Sequence, residues 1–133
     1  MKYMIDTNIC IYAMKNKPEI VSHRIEKHLP FDICISTIVL AELKHGVYKS
    51  ANREKNERAL NYFLKVFEIL PFDSEAAIEY GKICAYLQSQ GTPIGTMDML
   101  IAAHALSKSL TIVTNNKREF ERVPGLIIEN WSE

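Results

Sequence analysis

The sequence predicts an α/β fold in which a central, mainly parallel β-sheet is flanked by helices. Short apolar runs of strand type alternate along the chain with longer runs of helical periodicity. Several of the strand-like runs end on Ser, Thr, Asp or Asn, the residues that cap helix N-termini, so each strand hands over directly to a helix. The 133 residues hold no repeat, no low-complexity tract and no Gly-, Pro- or Ser-rich linker, so a single domain over residues 1–133 is expected.

The elements follow in order. Tyr3-Met4-Ile5 reads as a strand ending at the capping residues Asp6-Thr7-Asn8, and a helix follows through Ile9, Tyr12 and Ala13. Pro18 opens a second helical segment with Ile20, Val21 and Ile25 on one side. Asp32 to Ser36 reads as a buried strand, after which Ser36 or Thr37 caps a helix through VLAELKHGVYK. From Arg53 the chain is first highly charged and then amphipathic, with Leu60, Phe63, Leu64 and Phe67 at helical spacing, and Glu68 to Phe72 offers a short strand. Asp73 or Ser74 caps EAAIEYGKICAYLQSQ, which Gly91 stops; Thr96 caps MDMLIAAHALSKS. Leu110 to Thr114 is a β-branched strand ended by Asn115-Asn116. A short helix or turn from Arg118 to Arg122 and a last strand at Leu126 to Ile128 complete the chain.

At 47% apolar and 24% charged residues the composition is that of a soluble globular domain. No stretch approaches the run of about 20 apolar residues that a membrane span needs. The opening MKYMID turns acidic too early for a signal peptide, so a cytoplasmic protein without membrane association is expected. Cys10, Cys34 and Cys84 lie far apart in apolar contexts, an odd count without CxxC spacing, and read as buried free thiols. A formal net charge of zero excludes a generally basic nucleic-acid binder. It leaves room for a local basic patch from Lys15, Lys17, Lys44, Lys49, Arg53, Lys55, Lys117 and Arg118.

Ligands of open parallel sheets bind beyond the carboxyl ends of the strands. Asp6 ends the first strand there, and Asn115 and Asn116 end the fourth. Asp98 falls in the first turn of the helix leading into that strand, and Glu42 about a turn and a half into the helix after the second. Each has an ordinary role when taken singly: a cap, a first-turn carboxylate favoured by the helix dipole, an exposed helix residue. Together, uncompensated carboxylates would repel until one took up a proton, and a divalent cation removes the conflict. An all-oxygen donor set favours Mg²⁺ or Mn²⁺.

The stretches MIDTNICIY, ISTIVLAELKHGV, PIGTMDMLIAAHA and IVTNNKREFERVPGL, in this order over nearly the whole chain, resemble the PIN-domain ribonucleases, specifically the VapC toxins of bacterial toxin–antitoxin pairs. Residue by residue, Asp6 matches the family's first acid, Glu42 its second and Asp98 its third. Many members carry an aspartate where this chain has Asn116, and Glu119 nearby partly supplies that charge. Thr7, Asn8 and Thr114 lie beside the acids as supports.

The resemblance implies an endoribonuclease requiring Mg²⁺ or Mn²⁺. Asp6 and Asp98 would ligate the ion, and Glu42 would ligate it or orient a water. It further implies a homodimer, a larger toxin–antitoxin assembly and a VapB antitoxin that keeps the toxin inactive. Members sharing the DTNICI and VTNNxREFERV signatures cut initiator tRNA in its anticodon loop, leaving a 5′-phosphate and a 3′-hydroxyl. The alternative is a PIN-fold RNA-binding or regulatory protein without nuclease activity, against which the intact acidic trio argues. Two other classes fit less well. A phospho-acceptor receiver needs a lone Asp ending a central strand, whereas the strand expected to be central ends at Ser36-Thr37. A di-iron bundle needs Glu-x-x-His twice, and Glu42 to His45 supplies it once.

Overall fold

The computed structural model describes residues 1–133. The chain runs β1 (Tyr3–Ile5), α1 (Thr7–Lys15), α2 (Glu19–His28), β2 (Ile33–Ser36), α3 (Thr37–Lys49), α4 (Arg53–Leu64), β3 (Glu68–Leu70), α5 (Ser74–Gln90), α6 (Thr96–Ser107), β4 (Thr111–Val113), α7 (Lys117–Phe120) and β5 (Ile128–Glu129). The strands form one sheet in the order β3-β2-β1-β4-β5. Every neighbouring pair is parallel, so the expected mainly parallel sheet is wholly so.

Parallel strands need helical crossovers, which cover both faces and turn the strands into continuous apolar runs. Met4, Ile5, Ile33, Cys34, Ile35, Ile112 and Val113 are completely enclosed, with Ile9, Val39, Ile101 and Phe120 of the surrounding helices packed in the same core. Burial of each such side chain is worth about 1.5–3 kcal/mol. α6 is apolar on nearly every side and buries Met99, Ile101, Ala102, Ala103 and Ala105, which suits a helix enclosed by its neighbours.

The order of the sheet corrects one expectation. β1, not β2, is the central strand, so the chain element that ends in Asp6 has a strand on either side. The chain builds outward from β1 through β2 to β3, then crosses to the other side of β1 for β4 and β5. β1 and β4 therefore flank the switch point where open α/β sheets bind ligands.

Four local expectations shift. α4 ends at Leu64, and Phe67 lies beyond it; the turn still buries Phe67 and brings its ring to 4.9 Å from that of Phe63. The last strand is Ile128–Glu129, with Ile127 joining the ladder only through its carbonyl, which accepts from Ile112 N at 2.9 Å. Thr96 is the first helical residue of α6 rather than its cap, a place taken by Gly95 without a side-chain bond. Cys84 is half-buried, unlike Cys10 and Cys34. Elsewhere the chemistry chose between candidates: Ser36 rather than Thr37 caps α3, Asp73 rather than Ser74 caps α5, and Gly91 closes α5 in the left-handed conformation at φ 67°.

Candidate active site

Asp6 follows the last residue of β1 and caps α1. Its amide still belongs to the sheet, donating to Val113 O at 2.9 Å, while its side chain already serves the helix. Both carboxylate oxygens are engaged: Oδ1 accepts from Thr7 N and Oδ2 from Thr114 Oγ1, each at 2.7 Å. Asp6 is buried, and burial pushes its carboxyl above the usual carboxylate range. The Thr114 and Thr7 hydrogen bonds act in the opposite sense, and the Glu42 charge adds to the rise.

Thr7 joins the first acid to the second. Its amide serves Asp6, and its hydroxyl donates to Glu42 Oε1 at 2.6 Å, across from α1 to α3. Thr114, completely buried beyond β4, joins the first acid to the fourth position. Its hydroxyl donates to Asp6 and accepts from Asn116 N at 3.0 Å. Asn116 in turn donates through Nδ2 to Asp98 Oδ2 at 3.2 Å. A continuous chain of hydrogen bonds thus runs from Glu42 through Thr7, Asp6, Thr114 and Asn116 to Asp98.

Asp98, half-buried on the first turn of α6, has its pKa pushed up to about 6. Burial is the main cause, followed by the charges of Asp6, Glu119 and Glu42, while the Asn116 bond lowers it. Glu119 of α7 is therefore close enough to act on Asp98, as expected of an acid near the fourth position. None of Asp6, Glu42, Asp98 and Glu119 takes part in a salt bridge. The cluster keeps its repulsion uncompensated by any basic side chain.

Asn8, expected beside the acids, makes its side-chain bond to another amide rather than to a carboxylate. Asn8 bonds Asn115 Oδ1 at 3.3 Å, and Asn115 passes on to the Tyr12 hydroxyl at 2.8 Å, forming a separate tie between α1 and the end of β4. No sequence signal marks a pair separated by more than 100 residues. His104 was also passed over, although a lone imidazole inside MLIAAHA is a visible anomaly. His45, by contrast, is exposed.

The residues fit a hard divalent cation. All donors are oxygens, and the neighbouring Cys10 thiol is held protonated by burial and by the Asp6 charge, so no soft ligand competes. No three acidic, His or Cys side chains close around a single point. Mg²⁺ tolerates that arrangement, since it retains several waters and takes only one or two carboxylates.

A model of the PIN domain matches residues 3–126. The chain is 47% identical over 131 residues to the tRNA(fMet)-specific endonuclease VapC of Salmonella typhimurium, covering 98% of each. It is 44% identical to ribonuclease VapC2 of Rickettsia felis over the full length of both. Among solved structures it is similar to DNA-bound VapBC from Salmonella typhimurium, with a TM-score of 0.94 at 46% identity and 98% of each chain covered. VapBC2 from Rickettsia felis bound to a promoter DNA fragment gives 0.93 at 44% identity, covering 98% of this chain and 99% of that one. Likeness this high over whole chains leaves one conclusion: the chain belongs to the PIN domain family, in its VapC group.

Proposed function

We propose that the chain is the toxin of a type II toxin–antitoxin pair, an Mg²⁺- or Mn²⁺-dependent endoribonuclease whose target is initiator tRNA, cut in the anticodon loop. The observation that carries the metal dependence is the set of carboxylates at the tip of the central strand, coupled to one another and without a basic partner. Relatives named tRNA(fMet)-specific endonuclease, 47% and 46% identical over nearly whole chains, support the substrate.

Asp6, Asp98 and Glu42 would hold the ion, which when bound lowers the pKa of water and screens the scissile phosphate. The chain's own side chains do the positioning. Thr114 and the Thr7 amide fix both oxygens of Asp6, leaving their remaining lone pairs to face a ligand. The Thr7 hydroxyl sets Glu42, and Asn116 sets Asp98. With an amide at the fourth position, Glu119 supplies the further negative charge. Water as the nucleophile leaves a 5′-phosphate and a 3′-hydroxyl.

The partner is a VapB antitoxin, as in the VapBC complexes of the structural neighbours, and the active unit is a homodimer within a larger assembly. An apolar groove of about 460 Å³, lined by Ile11, Met14, Leu43, Val47 and Leu60, opens beside Glu42. A VapB segment seated there would reach the acids. Incubating the purified chain with initiator and elongator tRNA tests the proposal. Cleavage confined to the initiator anticodon loop, restored by Mn²⁺ after EDTA treatment, is expected. Cleavage that persists in EDTA would overturn the metal dependence.

A further inference from the structure

Among the buried residues of α6 one is polar. His104 is completely enclosed, and burial holds its pKa below the usual histidine range, so the ring is neutral. An apolar side chain of similar size would fill the same space without the cost of desolvating an imidazole, which makes the histidine informative.

His104 Nδ1 lies 2.7 Å from Ser36 Oγ, on a residue 68 positions earlier in the chain. Ser36 is both the last residue of β2 and the cap of α3, where its oxygen accepts from Ile38 N at 3.0 Å. The tautomer follows from the remaining groups. Nε2 makes no hydrogen bond, and the Ser36 hydroxyl, which accepts from Ile38 N, has no acceptor for its own proton other than Nδ1. A proton on Nε2 leaves Nδ1 to accept from the Ser36 hydroxyl. That hydroxyl then keeps its lone pairs for the α3 amide and is polarised into a stronger acceptor. A second hold lies beside the first. The Phe72 ring meets His104 edge-on at 5.5 Å, and Phe72 N donates to Thr37 Oγ1 at 3.1 Å. The cap and the first residue of α3 are thus fixed by His104 and by a residue packed against it.

Glu42 lies on the next turn of α3, where its 2.6 Å bond to Thr7 requires the helix to start in one place. We propose that His104, acting through the Ser36 hydroxyl, is a positioning residue that fixes the first turn of α3 and hence the reach of Glu42 into the acidic site. The inference rests on the role given to Glu42 under the proposed function.

Three variants test it. His104→Phe keeps a ring but removes the acceptor, His104→Asn keeps an acceptor near Nδ1, and Ser36→Ala removes the hydroxyl from the other side. Amide exchange of the metal-free protein reads the helix directly. The Phe and Ala variants should speed exchange at Ala41, Glu42 and Leu43 by roughly tenfold relative to the central strands. In RNA cleavage with Mn²⁺ the same two should lower kcat by roughly tenfold at unchanged KM. His104→Asn should restore both readouts, and the His104→Phe/Ser36→Ala double variant should be no worse than either single one. Exchange that rises equally in α3 and the strands, or α3 amides that do not change, would overturn the proposal. So would an unchanged kcat in both variants while the wild type cuts RNA. Should His104→Phe fail to fold, His104→Gln, whose amide reaches toward Nε2 rather than Nδ1, takes its place, since Ser36→Ala also removes the α3 cap itself. A wild type that cuts no RNA would sink the nuclease reading, and the exchange measurement would then still decide the coupling.

Discussion

The Thr7 hydroxyl stands 2.6 Å from Glu42 Oε1, and this single contact joins the acid carried by α3 to the acid that ends the central strand. Thr7 manages it because its backbone amide is already committed to Asp6, so one residue orients two carboxylates. Thr7→Val removes the hydroxyl at nearly constant shape and keeps the amide. It should lower Mn²⁺-dependent cleavage by about 10–100-fold, the range typical of groups that orient metal ligands. Thr7→Ser should retain activity. Cleavage rates for the two variants, measured with melting temperatures to confirm folding, make the comparison. A fully active Thr7→Val would remove the contact from any functional role.

Asp98 gives the metal-free protein a pH signature. Its folded pKa of about 6 lies above the ordinary aspartate value of 3.8, so between these limits the folded state holds a proton that the unfolded state has released. Stability must therefore fall as pH rises through that window, and the loss is complete above it. The full shift would correspond to nearly 3 kcal/mol, but solvent screening at a half-exposed carboxyl reduces it to about 1 kcal/mol. Asp98→Asn should flatten the slope, leaving a residue from Asp6, whose carboxyl is raised in the same direction. Urea midpoints in EDTA between about pH 4 and 7 check this. Identical slopes in wild type and variant would contradict it.

At Asp6 the two common substitutions should part company. Asp6→Asn keeps an oxygen for the Thr7 amide and removes the charge repulsion, while one donor bond into Asp6 from Thr114 is lost. The metal-free fold should then stay within about 1 kcal/mol of wild type. Asp6→Ala loses the helix cap and both bonds and should cost about 1–3 kcal/mol. Both should abolish cleavage and most of the rise in melting temperature that Mn²⁺ gives the wild type. Paired melts with and without Mn²⁺ are the measurement, and an undiminished Mn²⁺ shift in Asp6→Asn would show that Asp6 is not a ligand.

Asn116 donates to Asp98 rather than adding a charge beside it. Replacing it with Asp removes that donor and adds a repelling carboxylate. Asn116→Asp should destabilise the metal-free protein by about 1 kcal/mol, the scale of one close pair of like charges at a solvent-accessible site. The Mn²⁺-induced rise in melting temperature should increase. Asn116→Ala should instead move the midpoint of the Asp98 titration above about 6, because the one bond that lowers it is gone. Carboxyl titration followed by NMR in the absence of metal reads this directly.

The sequence by itself determined the local structure wherever one chemistry dominates over a few residues. Tyr3-Met4-Ile5 and Thr111-Ile112-Val113 are strands buried on both faces, and their uninterrupted apolar runs say so without reference to the rest of the chain. The Asp6, Ser36 and Asp73 caps and the Gly91 stop were legible for the same reason, since each satisfies backbone groups within a few residues of itself. Asp6, Glu42, Asp98 and Asn116 were identified as a set by motif and by strand-end position.

Only the tertiary structure decided how they are joined. That β1 is central depends on which strands pair, and pairing energy is spread over contacts between distant segments with no trace in any one of them. Thr7 bridging two acids, Thr114 linking Asp6 to Asn116, and Asn8 bonding Asn115 rest on separations of 35 to 108 residues or on which way one side chain points. His104 shows the same division. Its place on an apolar helix was readable, but its partner was not, because Ser36 becomes its neighbour only once β2 and α6 are packed into one core.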